Sequence, residues 1–286
     1  MTAQLLDGRA MAKAIRGEIS ADVAVFASQY GRAPAIAVVQ VEGDPASAAY
    51  VRQIEKSFTG VGMGFRLHLL LAQCDALALV SLIKELNTDP QVDGLIVQMP
   101  LPRHLPQSLV TDNIAPSKDV DGIHPLNAGK LLQGAVDYLV PATPAGGMEL
   151  LRRYNIPLRG KRAVVVGRSN VVGRPMVLLL LHQNATVTIC HSQTVDLPAV
   201  TRQADILVAA IGKPRMITAD MVCPGAVVVD FGVNMVGEHM VGDVDTEAVG
   251  RVASYITPVP GGTGPMTNVM LMLNTLAAGR RSQQAE

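Results

Sequence analysis

Six short runs of apolar, largely β-branched residues punctuate the chain: AIAVVQV (35–41), DGLIVQM (93–99), RAVVVG (162–167), ATVTIC (185–190), DILVAAIG (205–212) and AVVVDFG (226–232). They are too continuous for half-buried strands, which alternate apolar and polar positions, so they predict strands covered on both faces. Helical stretches separate them, and the combination predicts an α/β protein built on parallel sheet. In PATPAGGMELLRRYNIPLRGKR (141–162) proline and glycine surround one helix of the length that joins domains, which predicts a boundary there. After residue 162 the order strand, glycine turn, helix, strand, helix, strand matches half of a doubly wound, Rossmann-like nucleotide-binding fold. The apolar helix NVMLMLNTLAAGR (268–280) is left over and is predicted to pack back across the first domain. The predicted domains are therefore 1–142 plus the C-terminal helix 267–286, and 143–266.

With 286 residues, 49% of them hydrophobic, the chain has material for two compact cores. Lysine plus arginine equals aspartate plus glutamate at 24 each, so no basic field draws nucleic acid or anionic lipid. Partners are predicted to be small molecules or a second copy of the chain. Tryptophan is absent and aromatics are 3%, leaving few platforms on which single-stranded bases stack. Cys74, Cys190 and Cys223 lie far apart with no CxxC pair, and the histidines are scattered, which predicts no metal and a reducing, cytoplasmic setting. The opening MTAQLLDGRAMAKAIR carries Asp7 and no continuous apolar core, unlike a cleaved signal peptide. No apolar run reaches the roughly 20 residues a membrane span needs.

Three rigid segments carry the candidate chemistry. In ITPVPGGTGPMTN (256–268), Pro258, Pro260 and Pro265 fix φ around Gly261, Gly262 and Gly264, so the backbone can approach a ligand while keeping one shape. VQMPLP (97–102) and KDVDGIHPLN (118–127) are punctuated in the same way, and three such loops predict one shared pocket. The serines lack the nucleophile-elbow pattern, which disfavours acyl transfer.

VVVGRSNVVGRP (164–175) reads as a cofactor turn, with Gly167 ending a strand and Gly173 inside the next helix. The strict G-x-G-x-x-G spacing is not met, because Ser169 takes the middle position and the last interval is longer by one. The next strand ends at Cys190, His191 and Ser192, where an NAD-selective site carries an acidic residue for the ribose. A hydroxyl there and Arg168 at the turn suit a 2′-phosphate, because the guanidinium offers a charged fork, so NADP is favoured over NAD. A plain α/β turn with a solvated Arg168 is the competing reading. Gly212 and Gly232 end the next two strands, either to let the dinucleotide close or as ordinary strand-ending turns.

Taken in order, YVRQIEKS (50–57), VQMPLP, KDVDGIHP, PATPAGG, VVVGRSNVVGRP, ATVTICHSQT, ADILVAAIGKP, VVVDFGVN, GDVD (242–245) and PVPGGTGPMTN closely resemble the bifunctional methylenetetrahydrofolate dehydrogenase/methenyltetrahydrofolate cyclohydrolases. The resemblance spans nearly the whole chain. It implies a folate-binding α/β first domain, a Rossmann-like NADP- or NAD-binding second domain, a cleft between them, and a homodimer. By resemblance Tyr50 stacks on or flanks the folate, Gln98 sits beside the reacting carbon and Asp121 bonds the pterin. Pro258, Gly261 and Gly262 close the cleft, while Gly167, Arg168, Ser169, Ser192 and Val233 hold the cofactor.

One departure bears on activity. The family's helix reads Tyr-x-x-x-Lys, with that lysine serving the cyclohydrolase, whereas this chain has Ile54 four residues after Tyr50 and keeps only Lys56. Residues four apart share a helix face, and residues two apart differ by about 200° around the axis, so Lys56 is expected to miss the pocket. Removing hydride from the methylene carbon leaves a methenyl cation stabilised by two nitrogens and needs no base; positioning is most of what the protein supplies. Opening that cation with water requires a proton to be taken, which isoleucine cannot do. A lysine cation about 4 Å from the methenyl cation would also oppose it by roughly 4 kcal/mol at an effective dielectric of 20. The expectation is an NADP-dependent dehydrogenase with cyclohydrolase activity lost or very weak. The alternatives are the full bifunctional enzyme, rescued by Lys56 or a water held at Thr263, and a folate- and nucleotide-binding protein without turnover. Ala142, where the family often has Cys, and Thr263, where Val is usual, are two smaller departures; a Thr263 hydroxyl needs a partner if buried.

Overall fold

The computed structural model describes residues 2–285. In chain order it begins with β1 (Gln4–Leu5), α1 (Gly8–Tyr30), β2 (Ala35–Val41), α2 (Pro45–Thr59), β3 (Gly64–Leu70), α3 (Ala76–Thr88) and β4 (Gly94–Val97). There follow α4 (Ser108–Thr111), α5 (Pro125–Gln133), α6 (Ala142–Arg153), β5 (Arg162–Val166), α7 (Gly173–His182), β6 (Thr186–Cys190) and α8 (Leu197–Thr201). The last group is β7 (Ile206–Ala209), β8 (Val227–Asp230), β9 (Asn234–Val236), β10 (His239–Val241), α9 (Thr246–Val249), β11 (Tyr255–Ile256) and α10 (Thr263–Ala285). The chain divides into two compact units, one formed by residues up to Lys13 with Thr143–Thr267, the other by Ala14–Ala142 with the chain from Asn268 onward.

The second of these units holds a parallel three-stranded sheet in the order β3-β2-β4. Its central strand β2 is buried at all seven positions, as an unbroken apolar run requires. Arg32 and Asp93 brace its start through two bonds of 2.7 Å, and the same carboxylate accepts the Ala35 amide at 2.8 Å. β3 was not predicted, because GFRLHLL interleaves Arg66 and His68 with its apolar residues and lies at the sheet edge.

The other unit holds a six-stranded parallel sheet in the order β1-β11-β8-β7-β5-β6. Residues 2–13 belong here and not with the rest of 1–142 as the sequence suggested. The reason is β1, which pairs with β11 (Gln4 with Tyr255, Leu5 with Ile256) and is too short to show any periodicity. β5 has β6 on one side and β7 on the other, so the chain reverses its direction of travel across the sheet at β5. That reversal is the switch point at which open α/β sheets bind ligands, beyond the carboxyl ends of the strands.

Two further boundaries differ from expectation. Gly173 begins α7 instead of lying inside it, and α10 begins at Thr263, so the glycine loop ends at Gly262. Pro265 is compatible with the earlier start, since the first-turn amide it lacks has no intrahelical partner anyway.

Candidate active site

Tyr50 and Ile54 are one turn apart on α2. Ile54 is fully buried, Tyr50 is half-buried, and Lys56 points to solvent. The Tyr50 phenol is held well above its ordinary pKa, first by burial and then by the negative charge of Asp121. Asp121 follows a loop bridged to β4 through Leu95 and Asp119. Its carboxyl is pushed up to about 7, by burial and then by Asp119.

Sequence reasoning missed Asp119, which has no exposure and organises this loop. It accepts bonds from Ile123 N (3.1 Å), His124 N (2.8 Å) and Asn127 Nδ2 (2.8 Å), closing a turn at Gly122. Gly122 has φ 71°, and a Cβ there would fall 2.5 Å from Pro141 Cα, so only glycine fits. Helix α10 anchors the same loop: Asn274 Nδ2 donates to the carbonyls of Val120 and Val140, both at 2.8 Å. Ala142 is fully buried and donates its amide to the Asp121 carbonyl at 3.2 Å.

Gln98 follows β4 and continues its pairing, its backbone N–H donating to Val39 O at 2.8 Å. Its Nε2 donates to Met99 O at 3.0 Å, while the buried Oε1 has no partner among the described residues. The unit thus holds Tyr50 and Asp121 within electrostatic reach of each other, and Gln98 with an acceptor free.

At the switch point of the other unit, Val166, Gly167, Arg168, Ser169, His191, Ser192, Ala210, Ile211 and Lys213 are among the residues lining a cavity of about 270 Å³. The cradle depends on two glycines. Gly167 has φ 125°, and a Cβ on it would strike the Ala210 carbonyl; a Cβ on Gly173 would strike the Gly167 carbonyl. These are the close strand and helix approaches that let a dinucleotide lie against backbone. Ser169 Oγ accepts from the Val172 and Gly173 amides at 3.2 and 3.3 Å, shaping the entry to α7. Arg168 and Ser192 are exposed at the cavity, and no carboxylate lines it. Gly212 stands between two lining residues with φ 70°. Val233 is 63% exposed on the β8–β9 connection and is not among the lining residues.

The glycine loop is built as its composition requires. Gly261 has φ 118°, and its carbonyl accepts the Arg9 amide at 3.1 Å. A Cβ on Gly262 would sit 2.7 Å from both Pro258 O and Thr257 Cβ. Thr263 is buried and its hydroxyl donates to Asp230 O at 2.9 Å, so the partner that burial demands is backbone. Two carboxylates missed in the sequence reading, Asp230 and Asp243, are fully buried nearby, and burial followed by Asp243 raises the Asp230 carboxyl to about 6 against the pull of its backbone bonds. Among the described residues no group of three or more His, Cys, Asp or Glu is placed to hold a metal ion, and no helix is long and apolar enough to cross a membrane.

A parallel sheet with a glycine cradle at its switch point, joined in one chain to a second α/β unit with a polar site, defines a two-domain protein of the dinucleotide-binding class. Residues 141–283 match the family model for the tetrahydrofolate dehydrogenase/cyclohydrolase NAD(P)-binding domain, and residues 6–121 match the model for its catalytic domain. The chain belongs to the tetrahydrofolate dehydrogenase/cyclohydrolase family.

The bifunctional protein FolD of Herpetosiphon aurantiacus is 54% identical over 98% of both chains. The crystal structure of the bifunctional FolD dehydrogenase/cyclohydrolase from Campylobacter jejuni is 43% identical, with a TM-score of 0.95 over 98% of this chain and 99% of that one. The Trypanosoma brucei FolD dehydrogenase-cyclohydrolase, crystallised with NADP and an inhibitor, is 36% identical with a TM-score of 0.96 over 99% of each.

Proposed function

We propose that this protein is an NADP-linked methylenetetrahydrofolate dehydrogenase whose cyclohydrolase reaction is absent or very slow. What supports the proposal is Ile54, fully buried one turn from Tyr50, taken together with the resemblance that puts a lysine four residues after the tyrosine in the family's helix. An aliphatic side chain there can neither take a proton from water nor repel the methenyl cation. Lys56 is exposed, and the Thr263 hydroxyl proton is engaged by Asp230 O, so neither offers a ready substitute.

Hydride loss from the methylene carbon needs the folate held in one pose. We assign Asp121 to the pterin ring, Tyr50 to a ring face, and Gln98, with its unpartnered Oε1, to the neighbourhood of the reacting carbon. The rigid loop at Pro258, Gly261 and Gly262 is assigned to substrate as well. Gly167, Arg168, Ser169, Ser192, Gly212 and Val233 are assigned to the cofactor, with Arg168 and Ser192 favouring the 2′-phosphate of NADP over the free ribose of NAD. Bound there, NADP supplies the hydride acceptor. The chain is proposed to work as a homodimer in the cytoplasm, where its three free thiols are stable.

The relatives named above are described as bifunctional, which keeps full bifunctionality as the second reading. One experiment separates the two. Methenyl product is followed by its absorbance in a buffer where spontaneous hydrolysis is slow, with NADP and then NAD as acceptor. The product is expected to accumulate, and added enzyme is expected not to hasten its decay. In Ile54→Lys the decay is expected to become enzyme-dependent by at least about 100-fold, the usual scale of a general base, while a melting curve and NADP titration report that the variant is folded. Enzyme-dependent decay by the unmodified protein, at a rate comparable with its dehydrogenase turnover, would sink the proposal.

A further inference from the structure

We infer that Asp243 is a positioning residue for the cofactor, acting through the backbone of Ile211–Lys213. This rests on the assignment of the β5/β7 cavity to NADP. The Asp243 carboxylate is fully buried with no exposure. It accepts from Ile211 N (2.5 Å) and Gly212 N (2.9 Å) on one oxygen, and from Lys213 N (2.9 Å) and Asn234 Nδ2 (2.9 Å) on the other. Three successive amides converge on one side chain 30 to 32 residues away in sequence. Ile211 and Lys213 form the cavity wall with Ala210, next to Gly167. Without the carboxylate, three amides at the end of β7 lose their acceptor, and a loop carrying Gly212 and followed by Pro214 has little else to hold its shape.

The carboxylate is itself held in place. Asp230, at the end of β8, accepts the Asp243 amide at 3.1 Å, the Val244 amide at 2.9 Å and the Gly232 amide at 2.7 Å. Gly232 passes so close to Asp243 that a Cβ there would strike its amide and carboxyl. Asp230 is tied in turn to the chain around the glycine loop, through its amide to Thr257 Oγ1 at 2.7 Å and its carbonyl from Thr263 Oγ1 at 2.9 Å. Two carboxylates in series thus connect Thr257 and Thr263 with the wall of the dinucleotide cavity.

Asp243→Asn retains the size of the side chain but can turn only one oxygen to the four donors. Amide hydrogen exchange and calorimetric NADP titration are the readouts, made first on the unmodified protein. Saturable NADP binding that protects peptides spanning 164–175 and 206–213 upholds the cofactor assignment; its absence refutes that assignment and leaves the exchange result to judge Asp243 by itself. In the variant, exchange at residues 211–213 is expected to accelerate at least about tenfold while β5 amides keep their protection, a local opening in place of global loss. NADP dissociation constant and KM are expected to rise about tenfold, with kcat at saturation changed far less. Unchanged exchange and affinity overturn the inference, as does a uniform loss of protection across β5, β7 and β8, which marks a merely structural role. If the variant does not fold, the unmodified protein still decides: its 211–213 amides are expected to exchange at least about 100-fold more slowly than free chain, and exchange at the free-chain rate refutes the inference.

Discussion

At Asp121, burial and the charge of Asp119 two residues earlier put the carboxyl near pH 7, where a small pH change alters its charge. With Asp121 assigned to the pterin, whose edge presents N–H donors, the ionised acid is the form proposed to bind. kcat/KM for the folate is therefore expected to rise as pH goes from 6 to 8, and Asp121→Asn to lose that rise along with much of the affinity. Stability has the opposite slope. A carboxyl whose folded pKa lies above its unfolded value binds extra protons when folded, so its stabilising contribution is present below pH 4 and is lost as pH climbs through 7. Asp121→Asn is expected to gain in stability over the unmodified protein as pH rises from 5 to 8, on the order of 2 kcal/mol, read as a melting temperature that rises relative to the unmodified protein. Parallel melting curves at all pH values refute this. Asp121, Tyr50 and Gln98 were singled out in the sequence because their motifs resemble a known family, and the structure brings Tyr50 within reach of the Asp121 charge. Asp119, Asp230 and Asp243 were not, because what distinguishes them is where their hydrogen bonds go. The three amides that donate to Asp243 come from 30 to 32 residues away, a distance no local pattern records.

Among the elements, those with the least ambiguous packing were the most readable. β2, β5, β7 and β8 are covered on both faces, and their apolar runs predicted them to within three residues at either end. β3 was missed because an edge strand mixes polar with apolar positions, and β1 and β11 because two residues carry no period. Glycine position is a sharper test than glycine count. Gly173 opens α7 against the Gly167 carbonyl, so Gly173→Ala is expected to cost about 1–3 kcal/mol and to weaken NADP binding, read by melting and titration. Gly17 lies within α1 with nothing within 4 Å of where a Cβ would go, and Gly17→Ala is expected to stabilise the protein by about 0.5–1 kcal/mol with no effect on NADP. Equal effects of the two substitutions would contradict the cradle described for α7.

For the molecule as a whole, the surface of the described residues carries a row that a solitary chain has little reason to keep. Leu67, Leu69 and Leu71, on and just after edge strand β3, are 45%, 55% and 59% exposed. Open edges with apolar residues invite another chain, and the proposed homodimer accounts for this one. Leu69→Asp is expected to halve the mass measured by sedimentation at micromolar concentration; a monomeric unmodified protein, or a dimer indifferent to the change, argues for another interface. The two-unit division was readable from the Pro- and Gly-rich flanks of α6, while the return of α10 to the earlier unit was legible only as a helix left without a partner. That return sets the order in which the protein can be completed during synthesis. Asn274 ties down the carbonyls of Val120 and Val140, and Thr275 packs against Gly94, so the turn bearing Asp121 waits for residues translated some 150 positions later. While a ribosome is still making the dinucleotide unit, the folate unit has a gap along α10's seat. A nascent chain released before residue 268 would carry that exposed seam to chaperones and proteases, since the loop bearing Asp121 is completed only when α10 arrives.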